Sequence, residues 1–276
     1  MAPLLALLSA VVYGVGDFCG GIASRRSPAI AIVLWSHVVG LALVLLSLPL
    51  VDGELRSRDL AIGALSGLAG AAGVGFLYQA LAIGPMGIVA PITALLAAAV
   101  PVVVGVAEGE RPAASVVLGM ALAIAALVLV SADGGGSLRP SDPRAVLLAL
   151  AAGLGFGLFF VALARTSDGA GTWPLLGARA ASVGFLGLLA VFGRIERRVS
   201  ADARGLTAIA GALDVAANLL YLLAAREGLL SVVAVLSALY PVSTVVLARI
   251  VLRERFAVMQ RIGMALALPA TILMAT

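Results

Sequence analysis

Four ionisable side chains fall inside long apolar stretches of this sequence: Asp17, His37, Arg179 and Asp214. An unpaired charge at the centre of a bilayer costs roughly 2.5–3.5 kcal/mol on insertion scales, so each is expected to face a cavity or a partner. Asp214, Asn218 and Tyr221 stand at i, i+4 and i+7, which puts a carboxylate, an amide and a phenol on one helical face. Such a stripe can hold a polar solute or exchange a proton. It can also serve as hydrogen-bonding glue between helices, worth about 1 kcal/mol per contact in a membrane. Tyr13 and Asp17 repeat the i, i+4 relation near the N-terminus, beside Gly16 and Gly20. Asp17 lies nearer the end of its apolar stretch than the middle, so a carboxylate reaching for headgroup water competes with one lining a cavity. His37 and Arg179 read either as headgroup anchors or as counter-ions for Asp214 or an anionic solute group.

Other chemistries lack their residues. Cys19 and His37 are the only cysteine and histidine, which removes internal disulfides, zinc dyads and two-histidine iron sites. All 18 basic residues are arginine, so the lysine of a phosphate-binding loop is missing and no ATP site is encoded. No cofactor is expected. The net charge of +4 comes from arginines in short connections, without a stripe that could track phosphates, so no nucleic-acid partner is expected.

The elements that must carry these side chains are membrane spans. Hydrophobic residues make up 62% of the 276 positions and charged residues 12%, outside the range of soluble domains. They arrive in blocks of about 20, the number a helix needs to cross a hydrocarbon core. Ten blocks are predicted: 3–24, 29–51, 60–82, 88–107, 115–132, 145–165, 173–193, 205–225, 231–252 and 261–276. The first begins without a preceding basic residue and contains Asp17, so it reads as a span and not a cleaved signal. The glycine- and proline-rich stretch around 133–144 divides the chain into units 1–132 and 145–276.

The units repeat. A shift of 144 superposes Gly119-Met120-Ala121-Leu122-Ala123 on Gly263-Met264-Ala265-Leu266-Ala267, and Glu110-Arg111 on Glu254-Arg255. A shift of 142 brings His37 onto Arg179. Five spans per unit give the second unit the opposite orientation, so the expected fold is all-α, ten transmembrane helices in two inverted repeats. In this design the solute site lies near the midplane, between the units.

The segments Leu239-Tyr240-Pro241-Val242, Leu252-Arg253-Glu254-Arg255 with Gly263, and the weaker first copy Glu108-Gly109-Glu110-Arg111 resemble the drug/metabolite transporter superfamily, in its EamA-like branch. The resemblance covers essentially the whole chain. It implies a cavity lined by the first, third, fourth, sixth, eighth and ninth spans, which hold Asp17, Gln79, Thr93, Asp214 and Tyr240, with Ser237 on the same span as Tyr240. In the first repeat Ala97 stands opposite Pro241, and Pro101 follows a turn later.

The expected function is gradient-driven transport of a small amphipathic metabolite, such as an amino acid or amine, across the inner membrane. A membrane-embedded enzyme acting on a lipid, and an assembly or sensor subunit, are the alternatives. Twelve arginines follow odd-numbered spans or lie close by, against five on the other side, which favours both termini outside under the positive-inside rule. The resemblance implies cytoplasmic termini.

Overall fold

The computed structural model describes residues 1–84, 86–130, 142–193, 196–251 and 258–275. The Leu252–Arg255 segment and residues 133–141 of the expected linker lie outside them, as do the side chains of Pro91 and Arg249.

The first repeat contains α1 (Ala2–Ser24), α2 (Ala29–Ser47), α3 (Ser57–Ile83), α4 (Met86–Ala107) and α5 (Ala114–Val130). The second contains α6 (Pro143–Ala164), α7 (Trp173–Phe192), α8 (Ala201–Glu227), α9 (Leu230–Ser237), α10 (Tyr240–Val251) and α11 (Val258–Ala275). No strand occurs among the described residues. The sixth span starts two residues before its predicted position because Asp142 accepts a hydrogen bond from Arg144 N at 2.9 Å and Pro143 opens the first turn.

Six of these helices are long and apolar enough to cross a membrane outright. The outer faces carry large apolar side chains, among them Leu147, Leu154 and Leu158 on α6 and Leu188 and Phe192 on α7. In water that surface would be untenable; in lipid it costs nothing.

The predicted ninth span is interrupted. Pro241 has no N–H to offer the carbonyl one turn back, and its ring crowds that turn. The chain therefore turns at Ala238 and Leu239, and α9 and α10 are two half-helices in series. The matching stretch of the first repeat has Ala97, and α4 runs unbroken.

The halves pack with pseudo-twofold symmetry, as inverted repeats. The α1–α8 and α3–α6 pairs are the most extensive contacts between the repeats, and they correspond to one another. The α4–α6 packing corresponds to that of α1 against α9 and α10, while α2–α7 and α5–α11 pair equivalent helices. Glycines permit the close crossings. A Cβ at Gly63 would run into the Pro174 carbonyl and one at Gly67 into the Ala178 carbonyl, so these residues let α3 lie on α7. Gly153 and Gly157 do the same for α6 against Thr93 and Val100 of α4.

Candidate functional site

Asp214 sits near the middle of α8, and Arg179 of α7 donates to its Oδ2. The guanidinium is nearly buried, with 7% side-chain exposure, whereas the carboxylate keeps 25% and faces a cavity. Coulomb attraction in this low-dielectric interior and the charge-assisted hydrogen bond offset the desolvation that each ion would suffer alone. His37 of α2 lies beside the pair: its Nδ1 is 2.9 Å from Ser182 Oγ, and Ser182 in turn donates to the Arg179 carbonyl at 3.1 Å. His37 and Arg179 are both buried, so neither reaches a headgroup. Gly40 leaves room for the guanidinium, since a Cβ there would lie 3.3 Å from Arg179 Nε.

One turn along α8, Asn218 accepts a hydrogen bond from the Tyr13 hydroxyl of α1. Asp17 follows one turn further on α1 and lines the same cavity, with no hydrogen bond or ion pair to any described residue. At Gly16 a Cβ would meet Leu213 Cβ at an ordinary 3.4 Å, so the packing of α1 on α8 there does not require glycine. Tyr240, the first residue of α10, closes the cavity from the second repeat, and its hydroxyl donates to the Ala90 carbonyl at 3.4 Å.

The opposite wall is aromatic. Phe156, Phe159 and Phe160 of α6 stand at i, i+3 and i+4 and line the cavity beside Gly67 and Gly70 of α3. No reading of the polar residues points to this wall; the helical spacing of the three phenylalanines was the available signal. The free volume is about 50 Å³, room for a water or two and too little for a metabolite.

Among the candidate residues, Tyr13, Asp17, His37, Arg179, Asp214, Asn218 and Tyr240 are brought around this one cavity. Tyr221 shares the α8 stripe but is fully buried behind it, stacked on Phe160 with ring centroids 4.4 Å apart and its hydroxyl donating to the Phe160 carbonyl. Thr93 bonds the Val89 and Ala149 carbonyls and so ties α4 to α6. Ser237 is buried, 3.4 Å from the Ala6 carbonyl, and Gln79 turns back to the Gly75 carbonyl on its own helix. These four do not line the cavity, and among the described residues neither does any side chain of α4, whereas α2 and α7 do.

A family model for EamA-like transporters matches residues 1–132 and again 143–276. One solved crystal structure, 19% identical in sequence, covers 99% of this chain and 98% of its own at a TM-score of 0.78, which shows a shared fold. No curated protein matches the sequence. With two copies of the family model spanning nearly the whole of a ten-span chain, this multi-pass membrane protein belongs to the EamA-like transporter family.

Proposed function

We propose that the chain is a secondary carrier of the inner membrane, not an enzyme, and that it moves a small amphipathic metabolite such as an amine or amino acid by alternating access. One observation carries this reading: Asp17, Asn218 and Tyr240, from both repeats, line a single cavity. A helix-assembly or sensor subunit would turn its intramembrane polar groups into helix contacts and leave no common pocket.

The chemistry of the cavity supports the solute class. Asp17 offers a carboxylate without a hydrogen-bond or ion-pair partner among the described residues, and the α6 phenylalanines offer aromatic faces, the combination that attracts a cationic amine carrying an apolar body. The Arg179–Asp214 pair adds a group of each sign, so an amino acid could exchange its own charges into that pair. A carrier must bind in one conformation and release in another. The absence of a phosphate-binding loop supports gradient coupling.

Purified protein in liposomes, offered a panel of amines and amino acids with and without an imposed pH gradient, tests the proposal. Saturable uptake of a member of these classes is expected. No uptake or counterflow of any of them under either condition would sink it.

A further inference from the structure

A second concavity lies away from the solute cavity, at the membrane end where the connections after α1 and α7 meet. It is a groove of about 380 Å³ between α2 and α8, lined by Trp35 and Val39, by Arg197 and Arg198 of the α7–α8 connection, and by Arg204 and Thr207 of α8. All three arginines are exposed, and none is ion-paired among the described residues. Arg204 Nε lies 3.4 Å from the Val199 carbonyl, and the rest of its guanidinium has no hydrogen-bond partner among the described residues. The nearby acids are Asp202, which pairs with Arg26 at 3.4 Å, and Glu196, which lies in the adjoining depression.

Two features go beyond what a topology signal requires. The arginine-bearing connection is pinned to a helix, because the Trp35 indole N–H donates to the Arg197 carbonyl at 2.9 Å. The groove also runs inward: Trp35 and Thr207 each lie six residues from the start of their helices, about 9 Å deep at 1.5 Å per residue, and Val39 lies deeper. Arginines thus stand at a mouth whose floor is apolar and whose indole is 47% exposed on the lipid-facing side.

The pseudo-symmetric counterpart, between α7 and α3, is filled. Gly63 meets Pro174, Gly177 meets Leu60, and Gly53 meets Gly171 of the neighbouring connection. Its connection is net acidic, with Asp52 and Glu54 against Arg56, which pairs with Glu54 at 2.5 Å. In the α2–α8 pair the close approaches, Gly211 on Ser36 and Gly40 on Val215, come further in, so the helices part toward the surface. The asymmetry leaves one repeat with an open basic groove.

We propose that this groove binds an anionic phospholipid, with its phosphate on Arg197, Arg198 and Arg204 and an acyl chain lying beside Trp35 and Val39. Guanidinium forks match phosphate oxygens, and basic recesses between spans suit acidic headgroups. A free phosphate would use only the mouth.

The two tryptophans make a direct test possible, since Trp173→Phe leaves Trp35 as the sole indole. The full chain is reconstituted in phosphatidylcholine vesicles doped with either dibrominated phosphatidylglycerol or dibrominated phosphatidylcholine, and Trp35 quenching is read. The acidic lipid is expected to bind at least about fivefold better, the ratio corresponding to one arginine near an anionic surface. That preference should fall to parity in Arg197→Gln/Arg198→Gln/Arg204→Gln and survive excess inorganic phosphate substituted for chloride at constant ionic strength. Equal quenching by the two lipids, a preference that persists in the triple variant, or displacement by inorganic phosphate would each overturn the assignment. A further arm needs no substitution in the groove: raising salt should weaken the preference, and indifference to salt would contradict a charge-based site.

Discussion

Arg179 and Asp214 hold each other in a place that neither could occupy alone. Removing one partner leaves a charge stranded in a low-dielectric interior, which costs about 3–5 kcal/mol for a buried pair, and the quarter exposure of Asp214 points to the lower end. Asp214→Asn and Arg179→Gln should therefore each lower the thermal unfolding temperature in detergent. The double variant should recover most of that loss while staying inactive in transport, and additive destabilisation would contradict the pairing. Asp17 is the opposite case. It has no partner among the described residues, so Asp17→Asn should abolish uptake with the unfolding temperature unchanged. Intact uptake accompanied by a large loss of stability would make Asp17 structural.

Helix ends and crossings decide where those side chains stand. The break made by Pro241 leaves N–H groups at the start of α10, while those at the start of α9, where the span itself begins, are met by the first repeat. The Glu110 carboxylate accepts from Leu230 N at 2.7 Å and Ser231 N at 3.1 Å. Glu110→Ala should cost about 1–2 kcal/mol, the worth of a charged helix cap, measured by thermal unfolding. No change would mean that water replaces the cap. Much of this framework was legible from hydropathy, because a membrane demands near-continuous apolar runs and tolerates few charges. The 142-residue register put His37 and Arg179 in equivalent places, and both reach the same cavity. The Arg179–Asp214 pairing was legible only as one alternative beside a headgroup anchor, because the choice depends on how α7 crosses α8. The aromatic wall was not legible: Phe156, Phe159 and Phe160 turn inward while Leu154 and Leu158 of the same helix face outward, and in an all-apolar helix composition does not mark the two sides. Tyr221 shows the limit of a helical stripe. Sharing a face with Asp214 and Asn218 did not bring it to the cavity, because Phe160 stands in between.

Across the whole molecule, the proposed alternating access would use the pseudo-twofold packing of two inverted halves to open one cavity to either side by related motions. On orientation the arginine count and the family resemblance imply opposite sides. If the count governs insertion, a reporter fused to the C-terminus should be active only outside the cytoplasm, and cytoplasmic activity would reverse the assignment. Access to the cavity can be read chemically, because Cys19 is the only native thiol. Val74 of α3 lines the cavity and is close to cysteine in size. In Cys19→Ser/Val74→Cys, a membrane-impermeant thiol reagent should label position 74 from either side of sealed, oriented vesicles, and a transported solute should protect it from both. Labelling from one side only, or labelling that no transported solute slows, would contradict an alternating-access site at this cavity.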